Sequence, residues 1–144
     1  MELEAFTYLA DGIKAVITPA GEGKRRSTMP QEIEIRLETR GEVKLFDIKG
    51  DMTVVSEPFL EEAYKNANAQ GTSKILLKFD QNAYINSGGI AVLIQLLAET
   101  RRNNQQIGIT GISDHFKKIF NMVGITKFAR IYNTVEEGLE SLSA

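Results

Sequence analysis

Ile75-Leu76-Leu77-Lys78-Phe79 is too short and too continuously apolar for a helix, which makes it a central strand covered on both faces. An amphipathic helix follows, in which Ile90, Leu93, Ile94 and Leu97 recur at the spacing of a single helical face. Between the two stands a short polar joint, Tyr84-Ile85-Asn86-Ser87-Gly88-Gly89-Ile90. Asn86 or Ser87 occupies the N-cap position, where a side-chain oxygen accepts a hydrogen bond from one of the unpaired first-turn amides. Gly88 and Gly89 let the backbone turn sharply and leave it open to approach. Bare first-turn amides attract anions, yet the joint has neither Gly-x-x-x-x-Gly-Lys-Ser/Thr nor Gly-x-Gly-x-x-Gly. A plain cap and turn is the simplest reading of this local pattern, with a phosphate-related site as the functional one.

The remaining elements arrange themselves around that unit. Ile33, Ile35 and Leu37 alternate with Glu32, Glu34, Arg36 and Glu38, the mark of a half-buried strand near a sheet edge. A turn at Thr39-Arg40-Gly41-Glu42 returns the chain directly into Val43–Ile48, which predicts an antiparallel pair. Ser56 before Glu57-Pro58 predicts an N-cap, with Phe59, Leu60, Ala63, Tyr64 and Ala67 forming the apolar face of a helix that Gly71 closes. After the joint and its helix come a strand at 106–110 and a helix capped by Ser113, with Phe116, Ile119, Phe120 and Val123 on one side. Phe128–Tyr132 reads as a last strand, and Thr134-Val135-Glu136-Glu137 as a capping box opening a last helix. Strand, strand, helix, then three strand-helix steps predict a mixed α/β sheet, mostly parallel with an antiparallel edge. About four helices crowd mainly onto one face.

The first 28 residues read as an accessory extension, with 29–144 as the domain proper. Phe6–Leu9 and Ile13–Ile17 flank Asp11-Gly12, a hairpin signal, and 20–30 is a linker or long exposed loop with Lys24-Arg25-Arg26 on it. At 144 residues the chain is long enough for one domain with a real core. A net charge of -2 gives no electrostatic footprint for nucleic acid. No apolar run reaches membrane-span length and no signal-peptide order opens the chain, so the expectation is a cytoplasmic protein without membrane insertion. The absence of cysteine excludes disulfides, thiol catalysis and cysteine-ligated zinc. His115, the single histidine, falls off the apolar stripe of its helix and reads as an exposed residue.

This element order, with Asn86-Ser87-Gly88-Gly89-Ile90-Ala91 at the joint, resembles the STAS domain of bacterial anti-sigma factor antagonists over about Gln31 to Leu142. The family's joint usually reads Asp-Ser-Ser-Gly-Leu-Gly and fits here without gaps. Phe116–Ile125 looks like the family's third helix and the turn after it, and Gly50-Asp51-Met52-Thr53 is similar to its Gly-x-Leu-Asp after the second strand. The resemblance implies a STAS-like fold and a binding module, neither an enzyme nor a cofactor carrier. Such a module docks on an anti-sigma factor, commonly a serine kinase, and frees a sigma factor. Phosphorylation at the joint would disrupt docking.

Three polar groups of the family pattern are changed. Gly88 stands at the usual phosphoserine, Asn86 at an aspartate, and Thr53 at another. Sliding the alignment by one would bring Ser87 to the phosphorylated position, but would lose the Ile90-Ala91-Val92 match. Ser87 is therefore the fallback acceptor. The expected partner-binding residues are Asp51, Thr53, Asp80, Asn82, Tyr84, Asn86, Ser87, Gly88 and Gly89. The alternatives are a STAS scaffold or transporter-associated subunit that needs no phosphorylation, and an enzyme holding a nucleotide at Gly88-Gly89. The second lacks any lysine, paired carboxylate or histidine placed for chemistry.

Overall fold

The computed structural model describes residues 14–16 and 33–144. Within them a mixed sheet runs in sequential order: β1 (Lys14–Val16), β2 (Glu34–Arg40), β3 (Val43–Lys49), β4 (Lys74–Lys78), β5 (Gln106–Thr110) and β6 (Arg130–Tyr132). β1, β2 and β3 pair antiparallel; β3 to β6 are parallel. The β2–β3 connection is Gly41-Glu42 alone, because Arg40 pairs with Val43. Gly41 has φ 63 while Glu42 is not left-handed, which fits a type II′ hairpin turn.

Three helices connect the parallel strands: α1 (Glu57–Ala69), α2 (Ser87–Arg102) and α3 (Asp114–Met122). Each new strand is added at the same edge, so right-handed crossovers bring these helices to one face. There Ile35, Leu37, Phe46, Ile48, Ile75, Leu77, Ile107 and Ile109 meet Leu60, Ala63, Leu93, Leu97 and Phe120 in the main core. α4 (Val135–Ser143) has no strand to feed and folds back over the other face, where Leu142 joins Val43, Leu45, Leu76 and Tyr132. The strand β4 is thus buried on both sides, as its apolar run requires. On β2, Ile35 and Leu37 are buried while Arg36 is exposed, so that part of the α4 face stays wet.

Several boundaries differ from the expectations. β4 begins at Lys74 and ends at Lys78. The last strand covers only Arg130–Tyr132, because Ile125–Lys127 forms a 3-10 turn that leaves Phe128 outside the sheet. Ser56 stands at the N-cap position of α1 without a side-chain cap, since its hydroxyl accepts from Thr53 N instead. Thr134 does accept from Glu137 N, at 3.0 Å, but Glu137 reaches back to Asn133 N. β1 lies within Ile13–Ile17, the expected second arm of an N-terminal hairpin, and pairs with β2. The hairpin's first arm, its Asp11-Gly12 turn and the linker at 20–30 lie outside the described residues.

Candidate docking surface at the N-terminus of α2

The joint is held by the segment that follows β3. Met52 and Ile85 form a parallel bridge: Met52 N donates to Tyr84 O at 2.9 Å, and Asn86 N donates to Met52 O at 3.2 Å. The Asp51 carboxylate accepts from Tyr84 N at 3.2 Å. Both stretches leave the same end of adjacent parallel strands, β3 and β4, so the sheet delivers them side by side.

Asn86, not Ser87, caps α2. Its backbone is extended and its Oδ1 accepts from Gly89 N at 2.8 Å. Ser87 is the first helical residue and is exposed, so its hydroxyl is not committed to the cap. Gly89 is buried against the Met52 segment: a Cβ there would lie 2.1 Å from Met52 O. Only glycine fits. This requirement favours the gapless register, in which Gly89 takes the place of the pattern's own glycine. Gly88 faces the turn at Val54–Ser56, where a Cβ would come within 3.1 Å of both Val54 Cβ and Val54 N.

That turn is stiffened from within. Thr53 Oγ1 accepts from Val55 N at 3.2 Å, Ser56 Oγ accepts from Thr53 N at 2.9 Å, and the two form a capping box. Thr53 is consequently 7% exposed and acts on the turn rather than toward solvent. The same turn pushes Val54 and Val55 outward, 63% and 68% exposed. Tyr84 stands at 58%, its ring edge-on to Phe116 at 6.4 Å. His115 is exposed, as expected, with its ring 5.1 Å from that of Phe116.

Of the expected binding residues, the structure gathers Asp51, Tyr84, Asn86, Ser87 and Gly88 around one end of the sheet. Asp80 and Asn82 are exposed on the loop before it, Asn82 N donating to the Asp80 carboxylate at 3.2 Å. Thr53 and Gly89 are buried beneath. Val54 and Val55 were not anticipated. Their signal was two consecutive apolar residues that belong to no periodic element, directly after Gly50-Asp51-Met52-Thr53.

The STAS domain family model matches residues 34–138. The anti-sigma-B factor antagonist of Staphylococcus aureus (strain NCTC 8325 / PS 47) is 26% identical over 110 residues, covering 75% of this chain and 98% of that one. Among solved structures, an anti-sigma factor antagonist from Mycobacterium paratuberculosis superposes with a TM-score of 0.67 at 18% identity, covering 81% of this chain and 98% of its own. The Bacillus cell fate determinant SpoIIAA in its phosphorylated form gives 0.55 at 16%, covering 74% and 97%. At these identities the structural likenesses speak for the fold alone. Among the described residues no helix is long and apolar enough to cross a membrane, and no cluster of His, Asp and Glu is arranged to hold a metal.

Proposed function

The chain belongs to the STAS domain family, and from that premise we propose that it is an anti-sigma factor antagonist that works by docking. The α2 N-terminus, the Val54–Ser56 turn and Tyr84 would form the surface that meets an anti-sigma factor of the serine-kinase type, releasing a sigma factor. One observation carries the reading: three large apolar side chains, Val54, Val55 and Tyr84, stand exposed around the residues aligned with the family's joint. Scattered apolar residues on a surface need no explanation, but three at one pole, on backbone locked by a bridge and a capping box, form a preorganised anchor.

The phosphorylation switch is altered in this chain. Gly88 has no oxygen to modify, and a Cβ there would meet Val54 at 3.1 Å, tighter than an ordinary contact. The docking surface is therefore constitutively competent or controlled elsewhere. Ser87 is exposed and one residue away, which keeps it as the fallback acceptor. A phosphate there would add about -1.5 to -2 charges beside Val54 and Val55 and oppose their burial against a partner. The same absence of an oxygen at 88 supports the second reading, a STAS scaffold that binds without a switch.

The test is isothermal titration with serine-kinase-type anti-sigma factors from the same organism, together with intact-mass analysis after incubation with them and ATP. Val55→Asp and Tyr84→Ala should each weaken binding at least about tenfold, as anchors do. The mass of the wild type should stay unchanged. Undiminished binding in both variants refutes the surface; an added phosphate that disappears in Ser87→Ala refutes the loss of the switch.

A further inference from the structure

The loop that carries Tyr84 is held by α3 as well as by the segment after β3. β4 and β5 run parallel and side by side, so the chain leaves both at the same end of the sheet. Phe79 N donates to Thr110 O at 2.9 Å where the two strands end. Gly111, φ 88, then passes so near that a Cβ on it would lie 2.1 Å from Phe79 O. Two residues on, Ser113 opens α3 by accepting from Phe116 N at 3.3 Å. The lead into α3 is thereby fixed against the start of the Tyr84 loop.

Phe116 makes a second contact with that loop. Its ring centroid lies 6.4 Å from that of Tyr84 with the planes at 71°, an edge-to-face arrangement. The rings grade from core to surface: Phe120, one turn along α3 and 6.4 Å from Phe116, is 0% exposed, Phe116 is 8% and Tyr84 is 58%. His115 packs on Phe116 at 5.1 Å. Phe116 itself therefore offers a partner little to touch. It holds a ring that a partner can reach.

We propose that Phe116 is a positioning residue for docking, which sets the Tyr84 ring in its binding orientation and couples the first turn of α3 to the α2 surface. The inference rests on the docking surface proposed above and adds a helix to it. A side chain as exposed as Tyr84 would otherwise sample several rotamers, and fixing one on association costs affinity. The main chain of Tyr84 is already pinned, because its N donates to the Asp51 carboxylate and its O accepts from Met52 N. The side-chain torsions remain, and the Phe116 ring restricts them.

The experiment has two arms, both on the full chain. The first needs no partner: side-chain NMR with ¹³C-labelled tyrosine, the Tyr84 signals being those lost in Tyr84→Ala. In the wild type Tyr84 should hold a single χ1 rotamer. In Phe116→Leu its ring signals should move toward those of an unstructured tyrosine and its χ1 couplings should average, while Phe116→Tyr, which keeps the ring, should preserve both. Rotamer averaging in the wild type overturns the inference with no variant required, and so do ring signals unmoved in Phe116→Leu. The second arm is isothermal titration with serine-kinase-type anti-sigma factors from the same organism. Phe116→Leu should weaken binding about two- to tenfold, the worth of one such ring pair, and Phe116→Tyr should keep the wild-type affinity. In a Tyr84→Ala background Phe116→Leu should cost nothing further. A loss in Tyr84→Ala with none in Phe116→Leu, or losses that add, refutes the positioning role and leaves the surface standing. Undiminished affinity in Tyr84→Ala removes the surface, and the role of Phe116 in docking with it.

Discussion

Gly89→Ala should be the most damaging single-methyl addition at the joint, and its size follows from the geometry. The new Cβ would sit 2.1 Å from Met52 O and 2.6 Å from Met52 C, so the collision is with backbone. Relief requires a shift on the order of 1 Å, since ordinary contacts lie near 3.5 Å or beyond. The carbonyl that must move accepts Asn86 N and belongs to the Met52–Ile85 bridge. Overpacking costs about 1–3 kcal/mol, and losing one bridge hydrogen bond adds about 0.5–1.5 kcal/mol. Replacing a helical glycine returns about 0.5–1 kcal/mol. The net is a destabilisation of about 0.5–4 kcal/mol, centred near 2, or a fall in Tm of roughly 2–16 °C at about 4 °C per kcal/mol for a domain of this size. Gly88→Ala is the control. Its Cβ meets Val54 at 3.1 Å, on a surface turn that can give by a few tenths of an ångström. Steric cost and helical gain then nearly cancel, and the change should stay within about 1 kcal/mol. Urea unfolding monitored by circular dichroism reads both. A Gly89→Ala protein as stable as Gly88→Ala would refute the claim that moving Met52 O is costly.

Asn86→Ala should cost about 0.5–2 kcal/mol through loss of the cap, while Ser87→Ala should stay within about 0.5 kcal/mol because its hydroxyl caps nothing; the reverse order in urea melts would move the cap to Ser87. A chain beginning at Met29 should keep a single cooperative thermal transition, because β1 adds three edge residues and the core residues among those described run from Ile33 onward. Loss of that transition would make the extension integral. In titrations with the cognate anti-sigma factor, replacing Tyr84 or Asn86 should weaken binding more than replacing Lys117 or Glu140. Equal effects would remove the joint from the interface.

The order and type of the elements were legible because each rests on a local cause: alternation in β2, the continuous apolar run in β4, side chains at Ser113 and Thr134 that cap α3 and α4. The errors have local causes as well. Phe128 is apolar and adjoins β6, so a reading of hydrophobicity includes it in the strand. The left-handed Gly124, φ 88, instead starts a 3-10 turn that carries Phe128 to the surface. Ser56 before Glu57-Pro58 has the composition of a cap, yet its hydroxyl accepts from Thr53 N. Composition specifies that a hydroxyl is present, and tertiary neighbours choose which amide it meets.

At the joint the same distinction separates what was legible from what was not. Asn-Ser-Gly-Gly before an apolar helical face announces a turn and a cap, but the two glycines look alike in sequence and differ in space. Gly89 is required by Met52 O, whereas Gly88 lies under a turn of exposed valines. The difference arises from the segment after β3, some 35 residues earlier in the chain, which parallel pairing with β4 brings alongside. That segment also buries Thr53 and projects Val54 and Val55, inverting the expectation that its polar residues face a partner. Family position 88 and the Val54 turn are therefore one mechanical unit. A side chain restored at 88 would press on Val54, 3.1 Å from a Cβ there, so recovering a hydroxyl by Gly88→Ser would shift the proposed docking surface by a few tenths of an ångström before any phosphate arrived. Gly88→Ser should accordingly weaken partner binding relative to wild type even without ATP. Undiminished affinity of the unphosphorylated variant would show that the turn and the joint move independently.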